Sequence, residues 1–159
     1  AEHDGFGFDP ADAVAWQLNP SREFESDGEK SAYFQAIAQR VAQIPGVEGV
    51  GLIDALPLGR NRSWDLAIPG VYQEGDQGIA YFPHLVDAGY LPAMRIPVLD
   101  GRNLTRDDGE DAPLVMLINE SGAERLFPGE KAVGRRLLRW PGEGEIVGVV
   151  RDVRHVSPE

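Results

Sequence analysis

The densest group of potentially reactive side chains is a run of carboxylates in one polar segment. It contains four acidic residues close together: Asp107, Asp108, Glu110 and Asp111. Carboxylate oxygens are the ligands that Ca²⁺ prefers, but the spacing differs from that of an EF-hand loop, and no Glu stands at its bidentate closing position. We therefore interpret the run as a solvated acidic turn. A carboxylate-dependent hydrolase remains the less favoured enzymatic alternative.

Histidine and serine form no recognisable catalytic or metal-binding pattern. His3, His84 and His155 lie far apart, without an HExxH motif or a pair at helical spacing. Ser121 lies between a predicted strand and a predicted helix, as in a nucleophile elbow, but Asn119 occupies the place of the first glycine of that motif. We interpret Ser121 as a first-turn residue of the helix. The sequence predicts no catalytic residue and no metal site.

Motifs that bind phosphate or a redox cofactor are also missing. There is no GxxxxGK[ST] motif for ATP. The Gly-Phe-Gly at 5–7 begins like a dinucleotide fingerprint, but Asp-Pro follows it instead of a helix. The chain contains no cysteine, which excludes disulfides, thiolate metal sites and a cysteine nucleophile. The sequence therefore predicts no cofactor.

Composition limits the class of partner. The chain has 159 residues, 42% of them hydrophobic, and a net charge of −11. This content of apolar residues is enough for a buried core. The negative charge disfavours nucleic acid and anionic membrane surfaces as partners, because neutralising phosphates needs clustered Lys and Arg. The sequence has no apolar run of about 18 or more residues, the length that predicts a membrane-spanning helix.

The first third of the chain predicts a β-α-β unit. Alternating apolar and polar residues at 14–18 indicate a half-buried strand. Ser26 followed by Glu29 has capping-box spacing and begins an amphipathic helix, which the Pro-Gly pair at 45–46 ends. Residues 47–53 then alternate again and predict a second strand. If both strands belong to one sheet, the helix packs across it.

The rest of the chain predicts short strands and short helices. The strands are expected at 64–68, at 79–86 with a break at Pro83, at 97–99 and at 114–118. Residues 90–94 favour a helical turn. Asn119 favours an N-cap whose side-chain oxygen accepts an amide of the first turn, in a helix that Pro-Gly ends at 128–129. The runs at 135–140 and 145–150 flank turn formers and predict a hairpin.

Arginines accumulate on and beside this hairpin. They are Arg135, Arg136, Arg139, Arg151 and Arg154. A basic groove for an anion is one interpretation. The favoured one is cross-strand pairing on a solvated face with the acidic residues Glu143, Glu145 and Asp152.

Short motifs spread over nearly the whole chain together resemble the extracytoplasmic domain of MacB-like and FtsX-type ABC transporter permeases. Each motif is unspecific alone, but their order and spacing are fairly specific. The motifs are PGVEGV at 45–50, LPL at 56–58, GYL at 89–91, IPVLDGRNL at 96–104, DD at 107–108, INE at 118–120, AERLFPGE at 123–130, VGR at 133–135 and IVGVVRDVRH at 146–155.

The resemblance implies an α+β fold with mixed sheets, few helices and two lobes. Residues 1–56 would supply the first half of a membrane-proximal lobe built from split β-α-β halves. Residues 57–159 would form a distal inserted lobe. In the family, a second β-α-β half follows the motif at 146–155 and returns to the membrane. That half is absent from this sequence, so we expect the proximal lobe to be incomplete here.

The resemblance also implies a function and a location. The chain would be the periplasmic or extracytoplasmic domain of an inner-membrane permease, and would couple motion of the parent's transmembrane helices to a partner or cargo. ATP would be hydrolysed by a separate cytoplasmic domain or subunit, so the chain itself would not be an enzyme. Partners in the family include periplasmic adaptors and lipoproteins, and no cofactor is implied.

Candidate contact residues come from the polar stretch at 60–63, the start of the predicted strand at 64–68 and the predicted surface loop at 72–77. Arginine and aromatic side chains are common anchors of interfaces, which favours Arg60, Arg62, Trp64 and Tyr72. For Trp64, a place in the core is the competing interpretation. A small-molecule-binding α/β domain remains the main alternative function, and it would require an apolar pocket with convergent polar groups.

Overall fold

The computed structural model describes residues 12–54, 64–69, 79–109, 111–139 and 142–153. Three short or medium helices and six strands are present in this part of the chain. The helices are α1 (Asp27–Val41), α2 (Tyr90–Ala93) and α3 (Glu120–Leu126). The strands are β1 (Trp64–Leu66), β2 (Ile79–Tyr81), β3 (Val98–Gly101), β4 (Val115–Asn119), β5 (Arg136–Arg139) and β6 (Gly142–Val150). Few helices with mixed sheets confirm the predicted α+β class.

The larger sheet is built around β6. Strand β4 pairs with one edge of β6 in parallel, and β3 and β5 pair with the other edge antiparallel. The predicted hairpin is confirmed, since β5 and β6 pair from Arg139 opposite Gly142 to Arg136 opposite Glu145. Strand β4, helix α3 and strand β6 together form a parallel crossover, in which the helix returns the chain to the same sheet.

A two-stranded ribbon of β1 and β2 is attached to this sheet. The two strands are antiparallel, with Trp64 opposite Tyr81. Just beyond β1, Ala67 and Leu138 exchange two main-chain hydrogen bonds, of 3.1 and 2.7 Å. Because Leu138 belongs to β5, the ribbon is joined directly to the hairpin.

The core lies between the larger sheet, α3 and the ribbon. The most deeply buried side chains are those of Leu137 and Ile146, which are both fully inaccessible to solvent. They are neighbours in the core cluster with six other residues: Leu66, Ile118, Leu126, Phe127, Ala132 and Val149. This cluster draws mainly on residues after position 114, where the sequence has its densest apolar runs.

Helix α1 begins as its sequence predicts. The Ser26 hydroxyl accepts the main-chain N–H of Glu29 at 3.1 Å, and the Glu29 carboxylate accepts the N–H of Glu25 at 2.8 Å. The helix ends at Val41, earlier than the Pro-Gly signal at 45–46 indicates, and a turn fills the interval. No residue of α1 is fully buried. The predicted apolar stripe is therefore only half covered.

The predicted strand at 14–18 is wrong for the structure. Residues 14–18 are not in a strand, and Val14 and Trp16 are each 68% exposed. Alternation gives a segment one apolar face, but a strand also requires a neighbour that completes its hydrogen bonds. No described segment supplies that neighbour.

The predicted strand at 47–53 is reduced to one bridge, between Ile53 and Val86. The glycines explain why. Gly49 lies with its Cα against α2, since a Cβ built on it would be 3.3 Å from the Cα of Ala93. The segment therefore packs its main chain against a helical turn, which leaves it extended but without a continuous ladder.

None of the helices in the described ranges is long and apolar enough to cross a membrane. The division into lobes at residues 56 and 57 falls where description stops at 54 and resumes at 64, and it stays a prediction.

Candidate functional site

Of the four candidate contact residues, the structure describes only the main chain of Trp64. Trp64 is the first residue of β1, and its main chain pairs with Tyr81. Arg60, Arg62 and Tyr72 lie outside the described residues. Their role in partner contact stays a prediction.

Two exposed apolar residues that the sequence did not single out follow β2 in the chain. Phe82 is 58% exposed and Leu85 is 57% exposed. Because Trp64 pairs with Tyr81, Phe82 leaves the ribbon at the end where the chain enters β1. The signal that could have found them is Pro83, which ends the ladder and leaves its neighbours without a sheet to cover them. We define the ribbon surface as the exposed side chains of Phe82 and Leu85, in the segment that follows β2.

The acidic run is organised by an arginine. The Arg102 guanidinium donates to both carboxylate oxygens of Asp108, at 2.7 and 2.8 Å. Asp108 also accepts the N–H and the hydroxyl of Thr105 at 2.7 and 3.0 Å. The hydrogen bond from Arg102, followed by that from the Thr105 main chain, holds the pKa of the Asp108 carboxyl well below its usual range. The loop is thus a clamped turn, and the described residues contain no group of side chains arranged to hold a metal ion.

Ser121 is held as part of a helix cap, and its hydrogen-bond acceptor is the Asp152 carboxylate. Its hydroxyl donates to the carboxylate of Asp152, and its main-chain N–H donates to the same side chain at 3.1 Å. The Asn119 amide donates to Asp152 as well, at 2.5 Å. The prediction that the Asn119 oxygen caps the helix is therefore wrong: Asp152, just beyond the neighbouring strand β6, supplies the acceptor. The negative charge of Asp152 also stabilises the first turn of α3, because the N-terminal end of a helix dipole is positive.

The described histidine is His84, since His3 and His155 lie outside the described residues. Its Nδ1 is 3.7 Å from the Asp54 carboxylate. Asp54 also accepts the N–H of Leu85 at 3.1 Å. This pair joins two chain segments and lies far in sequence from the acidic run and from Ser121.

The arginines of the hairpin pair with carboxylates. Arg136 donates to Glu143 across the β5–β6 pair at 3.0 Å. Arg135 pairs with Glu130, and its guanidinium lies 5.6 Å from the centre of the Phe127 ring. These contacts favour the pairing interpretation over an anion groove for these two arginines.

Two depressions on the described surface are open to solvent and lined mainly by charged and hydroxyl residues. One lies at the start of α1 and is lined by Glu23, Phe24, Glu25, Ser26, Asp27 and Lys30. Another lies beside α3 and is lined by Glu120, Ser121, Glu124, Arg125 and Asp152. A small-molecule site is usually concave and largely apolar. Neither depression has that form.

Comparison of the sequence with protein-family models finds a match over residues 8–157 to the MacB-like periplasmic core domain. The chain belongs to that family. This periplasmic core domain is thus an extracytoplasmic domain of an ABC transporter permease, as the order of its short motifs predicted. A comparison with curated protein sequences finds no match.

Solved structures of similar fold support the assignment. One is the periplasmic region of MacB from Actinobacillus actinomycetemcomitans, with a TM-score of 0.54 and 17% identity over 74% of this chain and 50% of that one. Another is the extracellular domain of the noncanonic ABC-type transporter YknZ from Gram-positive bacteria, with a TM-score of 0.51 and 22% identity over 80% and 64%.

A third similar structure is a domain of a putative permease from Porphyromonas gingivalis, with a TM-score of 0.51 and 22% identity over 77% and 52%. The matched part thus spans between half and just under two thirds of each of the three chains.

Proposed function

We propose that this periplasmic core domain transmits motion between the transmembrane helices of its parent permease and an extracytoplasmic partner or cargo, and catalyses no reaction itself. The observation that carries the proposal is the family match over residues 8–157. The polar groups of the domain support the non-catalytic part of the proposal. Asp108, Ser121 and Asp152 form hydrogen bonds that hold a loop and a helix end in place. ATP hydrolysis belongs in this proposal to a separate cytoplasmic domain or subunit.

The proposed partners follow from the same family. The parent's own transmembrane helices would move the domain, the ATP-binding subunit or domain would act through those helices, and a periplasmic adaptor or a lipoprotein would be engaged on the far side. Nucleic acid is not a proposed partner, because the net charge is −11.

The ribbon surface is the proposed place of partner contact. Phe82 and Leu85 are large exposed apolar side chains in the segment that follows β2, and the ribbon that β2 belongs to is anchored to the core. Apolar and aromatic side chains on a rigid support commonly form the centre of an interface. Arg60, Arg62, Trp64 and Tyr72 stay the contact candidates that the sequence predicts.

We also propose that residues 1–56 belong to a membrane-proximal lobe that other sequence of the parent completes, and that residues 57–159 belong to the distal lobe. The exposure of Val14, Trp16 and Leu18 supports this, since an alternating apolar segment gains stability only when it is covered. The partial coverage of the similar solved chains is consistent with it.

The central experiment changes the ribbon surface in the parent permease. We expect Phe82→Ser to weaken capture of the extracytoplasmic partner and to leave the basal ATPase rate unchanged. The matched control is Leu99→Ser, because Leu99 is also exposed, at 44%, but lies on β3, away from the ribbon. Equal partner capture by both variants and the parent would contradict the contact site. Full transport by a permease lacking this domain would contradict the coupling role.

A further inference from the structure

Helix α1 is attached to the sheets through a narrow connection. Among the described elements, α1 makes at most a marginal contact with any other helix or strand. The chain leaves it through the turn at 42–46 and continues into the extended segment 47–54. Within the described residues, motion of α1 can therefore be transmitted to the sheets only through that segment.

The extended segment is interlocked with the turn that leads into α2. A Cβ on Gly51 would overlap the main chain of Tyr90, and a Cβ on Gly89 would overlap the carbonyl oxygen of Val50. Each glycine thus allows the main chain of the other segment to approach more closely than any side chain would permit. The two segments touch backbone to backbone.

Asp87 ties the same two segments together by hydrogen bonds. Its carboxylate accepts the N–H of Leu52 at 2.9 Å and that of Gly89 at 3.1 Å, while its own N–H donates to the Leu52 carbonyl at 3.1 Å. Asp54 donates its N–H to the Leu85 carbonyl at 3.0 Å. The Asp87 side chain thus binds main-chain groups of both segments. Hydrogen bonds to a charged acceptor are stronger than neutral ones.

Asn103 extends this connection to the larger sheet. Its amide donates to the Ala88 carbonyl at 2.9 Å, and its side-chain oxygen accepts the N–H of Leu104 at 2.8 Å. Its neighbour Arg102 donates its N–H to the Val147 carbonyl of β6 at 2.9 Å. A continuous set of bonded groups therefore runs from segment 47–54 to the central strand of the sheet.

We propose that Gly51, Asp87, Gly89 and Asn103 form a rigid joint that fixes segment 47–54 to the larger sheet. The turn at 42–46 is itself hydrogen-bonded, from Ile44 back to Val41 of α1 and from Val47 back to Ile44, so the joint also holds the C-terminal end of α1 to the sheet. This inference deepens the coupling role proposed above and takes its meaning from it. Three motifs meet at or beside this joint: PGVEGV, GYL and IPVLDGRNL. They lie apart in the sequence and contain no recognisable catalytic pattern. Close main-chain packing and side-chain bonds without free reactive groups suit a part that transmits displacement.

The joint is tested by a distance measurement in the 159-residue chain. Because the chain has no cysteine, spin labels can be placed on Cys introduced at Gln39 of α1 and Glu124 of α3, both exposed. Pulsed electron resonance then gives the distribution of distances between α1 and the sheet body. We expect one narrow distribution in the doubly labelled chain, a clearly broader one after Asp87→Ala, and recovery of the narrow one with Asp87→Asn, whose oxygen still accepts both N–H groups.

Asp108→Ala is the matched control, because it removes an equally well bonded aspartate that ties its loop only to itself. It should leave the distribution narrow. Folding of each variant is checked by its cooperative unfolding curve, and Asn103→Ala takes the place of Asp87→Ala if the latter does not fold. A narrow distribution in the folded Asp87→Ala or Asn103→Ala chain would overturn the joint and leave the coupling role untouched. A broad distribution supports the joint even if the same change leaves transport by the parent intact, a result that would count against the coupling role alone.

Discussion

The carboxylate of Asp152 accepts the main-chain N–H of Ser121 at 3.1 Å. The two residues are 31 positions apart, and the contact joins the end of β6 to the first turn of α3. In return, the main-chain N–H of Asp152 donates to the Glu120 carboxylate at 3.1 Å. The first turn of α3 is thus capped from a neighbouring strand in place of its own N-cap residue.

Replacing Asp152 should destabilise the domain as the loss of a helix cap does. We expect Asp152→Ala to lower the free energy of unfolding by about 1 kcal/mol, because the Ser121 amide and the Asn119 amide lose their acceptor. Asp152→Asn should cost less, since one oxygen acceptor remains. Urea unfolding measures the difference. Asp107→Ala, in an exposed loop position, is the control and should change the value by less than about 0.5 kcal/mol. Equal stability of the Asp152→Ala chain and the unmodified chain would contradict the cap.

The clamp between Arg102 and Asp108 predicts a defined pH dependence. The pKa of Asp108 is depressed in the folded chain, so the charged carboxylate stabilises the fold above its unfolded pKa of about 4, and this stabilisation is lost as the pH falls below that value. Comparing the free energy of unfolding of Asp108→Asn with that of the unmodified chain isolates the effect. The difference should be largest near neutral pH and should shrink below pH about 4.

Salt should reduce this difference, because the Arg102 side chain is 46% exposed. A difference that grew on acidification would show that the folded chain does not favour the ionised form of Asp108.

The centre of the core should tolerate truncation poorly. Leu137 is fully buried against the α3 side of the sheet, so Leu137→Ala should cost about 2–5 kcal/mol through lost burial and a residual cavity. Leu99→Ala removes the same atoms from an exposed edge strand and should cost well under half as much. Thermal or urea unfolding compares the two. Similar losses would place the core elsewhere.

Two glycines with left-handed φ separate conformational strain from overlap. Gly101 has φ 73° and lies against Val147 and Gly148 of β6, whereas Gly129 has φ 70° with open space where a Cβ would be. Gly129→Ala should cost about 1 kcal/mol, the price of a left-handed L-residue. Gly101→Ala should cost more, because the added methyl also disrupts the β3–β6 pairing. Urea unfolding measures both changes in the free energy of unfolding. Equal changes would mean that the close contact between Gly101 and β6 does not add to the cost of the substitution.

The environment of Trp16 tests the proposed proximal lobe. Its side chain is 68% exposed, so acrylamide should quench its fluorescence readily in the 159-residue chain. In the extracytoplasmic part of the full parent, additional sequence should cover it and reduce quenching. Comparison with Trp16→Phe in both chains isolates its signal from those of Trp64 and Trp140. Unchanged quenching in the longer chain would contradict the proposal that other sequence of the parent completes the proximal lobe.

Local signals in the sequence were reliable where short-range chemistry decides the structure. The capping box at Ser26 and Glu29 forms as predicted, and the predicted hairpin forms, although residues 142–144, which were predicted as its turn, belong to strand β6. Each of these features depends on residues within a few positions of each other. The order of short motifs was also enough to identify the family, because the motifs are spread over most of the chain and their spacing is more specific than any one of them.

The same signals failed where a structure needs a distant partner. Residues 14–18 have the alternation of a strand, but no described neighbour pairs with them. Residues 47–53 pack through glycine against α2 and form a single bridge. Asn119 is a residue type that commonly caps helices. In the structure, the Asp152 carboxylate instead accepts the main-chain N–H of Ser121 and the side-chain amide of Asn119.

The sequence by itself therefore determined the α+β class, the family and the lack of recognisable catalytic motifs, since these follow from periodicity, residue types and motif order. The tertiary structure alone decided that Asp87 ties residue 52 to residue 89, that Arg102 clamps Asp108, and which apolar side chains stay exposed beside the ribbon. The physical reason is that hydrogen bonds and burial depend on which distant segments meet, and the pattern of a single segment carries no record of its neighbour.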